Sequence, residues 1–236
     1  MAQSANAYFD QLEKDCLNHP ALTHSYLDKL NKGKADRGAI KILAEQYYLF
    51  SKHFSRYLAA AVASCPNEAA RAPLIKNLFE EYGGRSEENK GMDAELTHPA
   101  IFRMFLKASG VDTSPAGLDA IKALPETKLF VEKYLNLGQL HYVAALGALG
   151  PGTEYIVPSM YTPIREGCRK AGFSEDDVLF FSAYIELDVE HGANIRTSLM
   201  PFASSEENQA LMREGALDVL DARVVLWNGL ERASGL

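Results

Sequence analysis

The chain has 236 residues, of which 47% are hydrophobic and 23% are charged, and its formal net charge at pH 7 is −7. This composition can support a sizeable core, and the acidic balance argues against nucleic acid or an anionic membrane as the main partner. Three scattered cysteines do not provide a disulfide framework or a cysteine-based metal site. Neither a secretory signal pattern nor an apolar stretch of about 18 residues is found, so we expect a cytoplasmic protein without a membrane span.

Apolar residues recur at helical spacing along most of the first half of the chain. In residues 42–62, bulky side chains return every three or four positions, which predicts a long helix. The segment PLIKNLFEEY is expected to be helical up to the glycine pair that follows it, because glycine is favoured just after a helix. Residues 83–97 are polar and contain glycine, as is typical of a long surface loop. The following helix is expected to begin near His98, with Pro99 tolerated in its first turn.

The helical pattern continues in the second half. Ser114 is the expected N-cap of a short helix. A long apolar helix is then predicted to run from residue 126 to the glycine-rich break at residues 150–152. Pro158 and Pro163 predict a kink in the helix after that break, because proline cannot supply a helical hydrogen bond.

Two further helices complete the predicted fold. Ser174 and Asp177 form a capping-box pattern ahead of an apolar helix, and residues 205–233 have the spacing of an amphipathic helix. No run of alternating apolar and polar residues bounded by hairpin turns indicates a strand. We therefore expect an all-α protein, a single-domain helical bundle of seven to nine helices formed by residues 1–236.

The stretch YIELDVEHG concentrates polar side chains in an otherwise apolar helix. Tyr184, Asp188 and His191 are spaced at i, i+4 and i+7, so they share one helix face. A buried carboxylate such as that of Asp188 is costly without a partner, and either a salt bridge or a metal ion would satisfy it. The residue types alone leave both interpretations open.

Other carboxylates and histidines could join this face in the interior of a bundle. Helix bundles build metal sites from side chains contributed by several helices, so the ligands are scattered in the sequence. The candidates outside YIELDVEHG are Glu80, Glu81, His98 and Glu154. Each also has an ordinary structural explanation: a solvated pair of glutamates at a helix end, a histidine beside a helix cap, or a glutamate that complements a helix dipole.

The order of these segments resembles that of the heme-oxygenase-like diiron oxidases, and within them the branch around CADD, the chlamydial death-domain-associating protein. The resemblance extends over nearly the whole chain and rests on segments such as PLIKNLFEEYGG, ELTHPAIFRMFLKASGV, YVAALGALGPGTEYIVP and FFSAYIELDVEHG. It implies a heme-oxygenase-like helical domain, a fold shared with thiaminase II and pyrroloquinoline quinone synthase. It also implies a pair of Fe(II) ions as the cofactor and a homodimer as the assembly.

The ligand pattern of that family, carried over by position, implies a metal site in this chain. The implied ligands are Glu81, His98, Glu154, Asp188 and His191. The sixth family ligand is a histidine whose position is Tyr184 here, which makes this tyrosine the candidate catalytic residue. It could ligate as a phenolate, although the pKa of a free phenol is about 10. Alternatively it leaves one iron short of a ligand, so that the second ion binds weakly or only with substrate, or metal chemistry has been lost; we favour the incomplete site.

The resemblance implies an O2-activating oxidase or oxygenase that acts on a small amino-acid-like or carboxylate-like metabolite. Lys52 or His53 is a candidate to bind the carboxylate of such a substrate. Synthesis of 4-aminobenzoate, as in the CADD branch, is an alternative. However, Tyr26 lies one residue before the position of the branch's tyrosine, and Ile164 stands where the branch has a lysine, so an external substrate is preferred. Carboxylates and imidazoles suit Fe(II), and manganese stays open.

Two alternatives come from other classes of protein. A metal-free enzyme related to thiaminase II would need a reactive cysteine in its pocket, and Cys65 or Cys168 would have to serve. A helical interaction protein would instead expose an apolar helix face where an enzyme has a polar cavity.

Overall fold

The computed structural model describes residues 4–84 and 91–236. Within these ranges the regular elements are helical, apart from an isolated antiparallel bridge between Gly84 and Met92. The α-helices are α1 (Ala5–Leu17), α2 (Ser25–Asn31), α3 (Arg37–Ser51), α4 (Phe54–Ser64), α5 (Glu68–Glu81), α6 (His98–Ala108), α7 (Pro115–Ala120), α8 (Pro125–Leu135), α9 (Tyr142–Leu149), α10 (Val157–Lys170), α11 (Leu179–Leu199) and α12 (Glu206–Ser234). The predicted all-α fold class is confirmed, and among the described helices none is long and apolar enough to cross a membrane.

The described residues form twelve α-helices, more than the seven to nine expected, partly because two predicted long helices are divided. Residues 42–62 are shared between α3 and α4, which are separated by Lys52 and His53. At this break the Tyr57 hydroxyl donates a hydrogen bond of 3.3 Å to the backbone carbonyl oxygen of Phe50. A carbonyl near the end of α3 therefore keeps a buried partner although the helix stops.

The predicted helix from residue 126 to residues 150–152 is likewise divided, into α8 and α9. Between them Leu137–Gln139 forms a 3-10 turn. The His141 ring then caps α9 by accepting from the backbone N–H of Val143 at 3.3 Å. A side-chain acceptor at this position satisfies one of the amides that a helix start leaves free. Apolar spacing continues across both breaks, so the periodicity alone does not reveal them.

Several predicted helix boundaries are confirmed by their hydrogen bonds. At the start of α7, Ser114 Oγ accepts from the backbone N–H of Gly117 at 3.1 Å. The hydrogen bonds of the predicted capping box also form between Ser174 and Asp177, at 2.9 and 3.2 Å, but α11 begins only at Leu179, later than the start that Ser174 predicts. Helix α6 begins at His98, as expected, with a proline in its first turn.

Part of the predicted surface loop at residues 83–97 lies outside the described residues, namely 85–90. In the described part, Gly83 has a φ of 75° and Ala94–Leu96 forms a 3-10 turn. A Cβ at Gly83 would also collide with the backbone carbonyl oxygen of Asp93. Glycine is therefore required directly after α5 both by its φ and by the lack of space.

The 29-residue helix α12 packs against α9, α8, α3, α2 and α1 and so holds much of the bundle together. Its crossing with α9 is very close. A Cβ at Gly215 would collide with the carbonyl oxygen of Ala144, and a Cβ at Gly147 would collide with the carbonyl oxygen of Met212. Glycine at both positions allows the two backbones to come into direct contact.

Helix α11 carries the polar stretch YIELDVEHG into the interior. It packs against α10 and α5 and also contacts α6 and the 3-10 turn Glu154–Ile156 that precedes α10. The middle of α11 is thereby brought next to the end of α5 and the start of α6. The kink predicted from Pro158 and Pro163 stays a prediction; Pro158 lies in the first turn of α10, and the helix continues past Pro163.

Candidate metal centre

Polar side chains from four helical segments converge in the interior of the bundle. The segments are the end of α5, the start of α6, the 3-10 turn before α10 and the middle of α11. The side chains are those of Glu81, His98, Glu154, Tyr184, Asp188 and His191, each at most 4% exposed. Carboxylates with so little access to water need strong compensating partners.

His191 faces the carboxylates of this cluster with one ring nitrogen. Its Nδ1 lies 3.3 Å from Asp188 Oδ1, 3.6 Å from Glu81 Oε1 and 4.0 Å from Glu154 Oε2. Ligand atoms of Glu81, Asp188 and His191 all lie within 4.8 Å of one another. The residue types and the spacing are those of a site for a divalent transition metal.

The second oxygen of Glu81 faces a different histidine. Glu81 Oε2 lies 2.7 Å from His98 Nδ1, and it accepts a hydrogen bond of 3.4 Å from the Tyr184 hydroxyl. The rings of Tyr184 and His98 pack with their centroids 4.6 Å apart. Glu81 therefore lies between two histidines, with Oε1 toward His191 and Oε2 toward His98.

Six buried nitrogen and oxygen atoms of the cluster have no hydrogen-bond partner within the described residues. They are Glu81 Oε1, His98 Nδ1, Glu154 Oε1, Glu154 Oε2, Asp188 Oδ1 and His191 Nδ1. The close contact between His98 Nδ1 and Glu81 Oε2 is an ion pair when the ring is protonated. An unpaired buried polar group costs about 1–3 kcal/mol, so such groups are rare. Six of them on carboxylates and imidazoles fit the donor set of a bound iron ion.

The outer ring nitrogen of each histidine is held by another polar side chain. His98 Nε2 lies 2.8 Å from Ser51 Oγ, and His191 Nε2 lies 3.2 Å from Glu80 Oε2. When Nε2 donates its proton to these oxygens, Nδ1 carries the lone pair and faces the carboxylates. Outer partners of this kind orient metal-binding histidines.

Ser51 and Asn77 support the site, although the sequence did not identify them as candidate site residues. Ser51 is the last residue of α3 and is fully buried. Asn77 Nδ2 donates to the backbone carbonyl oxygen of His191 at 3.0 Å, which ties α5 to α11. Each is a single polar residue in a helical segment, and no motif distinguishes it from a surface residue. Only its burial would reveal the role.

Burial and crowding change the pKa values of the carboxyl groups. Burial raises the pKa of Glu154 well above its usual value, and the facing Asp188 carboxylate raises it further. Burial also raises the pKa of Asp188. For Glu81, burial acts in the same direction, but the charges of His98 and His191 outweigh it and lower the pKa. Protons thus neutralise part of this cluster, and a bound cation would displace them.

Tyr184 occupies the position at which a sixth ligand is expected. Burial raises the pKa of its phenol well above the usual value, and the Glu81 carboxylate raises it further. The phenol is therefore protonated, which agrees with its hydrogen bond to Glu81. Its ring also packs against Phe180, with the centroids 4.7 Å apart.

A cavity of about 400 Å³ lies against Glu154 and Asp188, between α1, the start of α10 and α11. Lys52 and His53 lie elsewhere, at the junction of α3 and α4, and neither lines this cavity. Lys52 Nζ is 5.5 Å from the centroid of the Tyr48 ring. The substrate-binding role of Lys52 and His53 stays a prediction.

Comparison with solved structures confirms the heme-oxygenase-like fold expected from the sequence. The protein is similar to a CADD-like protein of unknown function from Nostoc punctiforme, with a TM-score of 0.78, 19% identity and 98% coverage of both chains. It is also similar to a domain with a heme oxygenase-like fold from Shewanella denitrificans, with a TM-score of 0.69, 14% identity, and coverage of 98% of this chain and 91% of that chain. The fold and the site define a heme-oxygenase-like helical protein with a buried carboxylate–histidine cluster.

The sequence comparisons give the family. Residues 41–224 match the family of iron-containing redox enzymes, and the chain belongs to that family. It is 23% identical to 4-chloro-allylglycine synthase from Streptantibioticus cattleyicolor, over 97% of this chain and 84% of that protein. It is 27% identical to 4-aminobenzoate synthase from Nitrosomonas europaea, over 97% of this chain and 91% of that protein. The predicted resemblance to the CADD branch and the assignment as an iron-dependent oxidoreductase are confirmed.

Proposed function

We propose that this iron-containing redox enzyme is an O2-activating, non-haem oxidase or oxygenase that uses two Fe(II) ions to oxidise a small metabolite. One observation carries the proposal: six buried ligand atoms, contributed by Glu81, His98, Glu154, Asp188 and His191, have no hydrogen-bond partner within the described residues. Bound iron would supply the redox chemistry with O2, for which carboxylate and imidazole ligands are suited. The family and the two similar synthases support an enzyme that acts on a small molecule.

The ligand atoms form two groups that share Glu81. The first group contains Glu81 Oε1, Asp188 and His191, and Glu154 lies 4.0 Å from His191. The second group contains Glu81 Oε2 and His98. We assign one Fe(II) to each group. The second group has fewer ligands, so its ion is expected to bind more weakly.

Tyr184 explains why the second group is incomplete. It stands where the family has a histidine, and its hydroxyl and ring contact Glu81 and His98, the two members of that group. By donating to Glu81, the phenol holds this carboxylate in place and keeps a proton beside the site. The second ion then depends on an additional ligand, which substrate or water would provide.

Aromatic side chains exclude water from the part of the site around His98. The Phe54 ring stacks on His98 with the centroids 5.2 Å apart, and the Phe180 ring meets it edge-on at 5.0 Å. An apolar wall strengthens electrostatic interactions and protects reactive species from water. The cavity beside Glu154 and Asp188 provides the space for a substrate.

The test is a titration of the metal-free protein with Fe(II) under argon, followed by chelator competition to obtain each affinity. We expect about two Fe(II) ions per chain, with the second weaker than the first. Asp188→Ala should remove the tight ion, because the first group loses a ligand, and His98→Ala should remove the weak one. When O2 is then admitted, the iron-loaded protein should consume it and the metal-free protein should not.

His19→Ala is the matched control, because this histidine lies 3.2 Å from Asp221 and away from the cluster. Its iron binding should equal that of the wild type. Circular dichroism checks that each variant is folded. Unchanged iron binding in both Asp188→Ala and His98→Ala would show that the metal site is misassigned.

Tyr184→His tests the incomplete second group. The substitution restores the family pattern and places an imidazole beside Glu81 and His98, so the affinity for the second Fe(II) should rise toward that of the first. Tyr184→Phe should not raise it, since a phenyl ring supplies no ligand. If Tyr184→His leaves the second affinity unchanged, the tyrosine is not the cause of weak binding.

A second candidate function is synthesis of 4-aminobenzoate, because the relative from Nitrosomonas europaea is a 4-aminobenzoate synthase. Tyr26, the tyrosine nearest to the position used in the CADD branch, is fully buried and stacks on the Trp227 ring at 5.8 Å. Ile164, at the position of the branch's lysine, is also buried. Iron-loaded protein should be incubated with O2 and a reductant but no substrate. Formation of 4-aminobenzoate that is lost in Tyr26→Phe would favour this function over an external substrate.

A metal-free enzyme with a reactive thiol receives less support. Cys16, Cys65 and Cys168 are all buried, and none lines the described cavity. Burial raises the pKa of Cys16 and of Cys168 to about 12, which keeps these thiols protonated. Reactive cysteines are instead exposed thiolates in positively charged surroundings.

The choice of iron over manganese, the homodimer and the cytoplasmic location stay predictions. Competition between Fe(II) and Mn(II) in the same titration would decide the metal. Light scattering of the purified protein would decide the assembly.

A further inference from the structure

Basic side chains without a carboxylate partner gather along one side of the bundle. We name this group the basic patch, and its members are Lys41, Lys52, Arg56, Arg103 and Lys107. None of them has an ion pair among the residues that the structure describes. Exposed cations elsewhere do pair, for example Lys29 with Glu231 and Lys133 with Asp218. On a chain with a formal net charge of −7, a local excess of positive charge is a feature of surfaces that meet acidic partners.

One end of the basic patch lies where α3 begins and α6 ends. These two helices pack side by side in opposite directions. Arg37, the first residue of α3, donates through Nη2 to the backbone carbonyl oxygen of Ala108, the last residue of α6, at 3.1 Å. Lys41 follows Arg37 by about one helical turn, and Lys107 directly precedes Ala108. Both lysines are exposed, so they lie at the same end of the helix pair.

The other end of the basic patch lies at the junction of α3 and α4. Lys52 Nζ is 5.5 Å from the centroid of the Tyr48 ring. Burial raises the pKa of the Tyr48 phenol, and the neighbouring charge of Arg103 lowers it. Burial lowers the pKa of His53, and the charges of Lys52 and Arg56 lower it further. Lys52, Arg56 and Arg103 are therefore neighbours around these two rings.

Two carboxylates lie along the basic patch without neutralising it. Glu45 is on α3, and Asp119 is on α7 and acts on the phenol at the junction end. The cations outnumber these acids, so the surface is locally positive. Lys41 and Lys52 are about 16 Å apart along α3, at 1.5 Å per residue. This length fits a small interface, as in redox encounters, which bury less than about 1,200 Å².

The basic patch lies next to His98, a ligand of the second group. Ser51, which precedes Lys52, has its Oγ 2.8 Å from His98 Nε2. Phe54, which follows His53, stacks its ring on that of His98 with the centroids 5.2 Å apart. One layer of side chains thus separates the patch from the metal centre. Electron transfer slows steeply with distance, so this is a short path from the surface.

We propose that the basic patch binds an acidic one-electron carrier protein, which supplies electrons to the proposed iron site. O2 accepts four electrons on its way to water, and a two-electron oxidation of the substrate provides half of them. The carrier provides the other half, with two protons from solvent: each carrier molecule loses one electron and reduces one Fe(III) to Fe(II). The cavity is lined by other residues, so a carrier at the patch leaves it accessible. The electron-donor role rests on the proposed function, whereas binding of the carrier does not require metal.

Binding is measured by calorimetry on the metal-free protein at low ionic strength, where surface charges are least screened. The probes are a 2Fe–2S ferredoxin and a flavodoxin, which are both acidic one-electron carriers. We expect both to bind, because complementary charge stabilises and orients the encounter. Failure of both to bind overturns the proposal. Binding of a single-stranded oligonucleotide at the patch, with no binding of either carrier, also overturns it and identifies a nucleic-acid site.

The double variant Lys52→Glu/Arg56→Glu tests the location. It should weaken ferredoxin binding by at least about tenfold, because two attractive charges become repulsive. The control is Lys14→Glu/Lys133→Glu, which changes the net charge by the same amount outside the patch and should bind ferredoxin as the wild type does. Circular dichroism checks that both variants are folded. Equal weakening in the two double variants would show that net charge, and not the patch, governs binding.

The electron transfer is tested with Fe(III)-loaded protein and reduced ferredoxin, mixed under argon and followed by the visible absorbance of ferredoxin. We expect one ferredoxin to be oxidised per bound Fe(III), with a rate constant at least about tenfold lower in Lys52→Glu/Arg56→Glu. Binding of ferredoxin without oxidation by the iron-loaded protein overturns the donor role. Iron stoichiometry is measured on the same samples. Iron binding without carrier binding refutes the docking surface alone, and carrier binding without iron binding refutes the proposed function alone.

Discussion

His98 and His191 use their two ring nitrogens for different purposes. In each ring Nδ1 faces the carboxylates, while Nε2 lies near an oxygen of another side chain, Ser51 Oγ or Glu80 Oε2. That outer contact fixes the rotation of the ring and keeps Nδ1 directed at the carboxylates. The affinity for metal therefore depends on residues that do not touch the metal.

Glu80→Gln tests this dependence at the level of one residue. The variant keeps the size of the side chain but weakens the charge-assisted contact with His191, so we expect the affinity for the tight Fe(II) to fall by about 10- to 100-fold. Chelator competition under argon measures it without any assay of activity. Glu190→Gln is the matched control, since Glu190 also pairs with Lys76 but is exposed. Equal iron affinity in Glu80→Gln and the wild type would show that Glu80 is not a positioning residue.

At the level of the helices, close crossings decide where the functional side chains meet. Gly215 on α12 and Gly147 on α9 allow backbone contact at one crossing. Helix α11 packs against both α5 and α10, and this arrangement brings Glu81 and Glu154 to the same ring nitrogen of His191, Nδ1. The metal centre is therefore a property of how the helices are packed, since no one helix carries more than part of it.

Gly215→Ala should destabilise the protein by about 1–3 kcal/mol, because the new methyl group collides with the backbone carbonyl oxygen of Ala144. This loss exceeds the gain of about 1 kcal/mol that alanine brings to a helix. Urea unfolding followed by circular dichroism measures the change. Gly38→Ala, in the exposed first turn of α3, is the control and should change the free energy of unfolding by no more than about 1 kcal/mol. Equal effects of the two substitutions would contradict the close crossing.

For the whole molecule, the metal centre is a source of instability when no cation is bound. Carboxylate oxygens of Glu81, Glu154 and Asp188 lie in the interior without a hydrogen-bond partner among the described residues, and each such oxygen lowers the free energy of unfolding. A cation that binds only the folded state would reverse this loss. Stability and metal binding are thus coupled. Functional sites often lower the stability of a protein in this way. That residues 1–236 form one cooperative domain stays a prediction, which a single unfolding transition would support.

Glu154→Gln should therefore stabilise the metal-free protein and reduce the stabilisation by Fe(II). The pKa of Glu154 is raised in the folded state, so the folded state binds this proton more tightly than the unfolded state. Its contribution to stability is present below the unfolded pKa of about 4.5 and is lost as the pH rises toward the folded pKa. Thermal unfolding of the metal-free protein is measured at about pH 5 and about pH 8. The unfolding temperature should change less between these two pH values in Glu154→Gln than in the wild type. A larger difference in the variant would contradict this account.

Much of the fold could be predicted from local patterns. Apolar periodicity indicated the helices, and short-range signals such as Ser114 and Pro99 indicated the starts of α7 and α6. The break between α3 and α4, at Lys52 and His53, could not be predicted in this way, because the apolar spacing continues through it. The tertiary contact between Tyr57 and Phe50 accompanies the first break.

The sequence by itself determined the helical class, the shared face of Asp188 and His191 and, through family resemblance, the set of candidate ligands. These properties depend on the spacing of residues within one helix or on the order of segments along the chain. Tertiary structure decided which oxygen of Glu81 faces which histidine, and it placed Ser51 and Glu80 behind the rings. It also placed Arg196 along the cavity that borders Asp188 and Glu154. Such contacts join residues that are distant in the sequence, and only the packing of helices brings their side chains together.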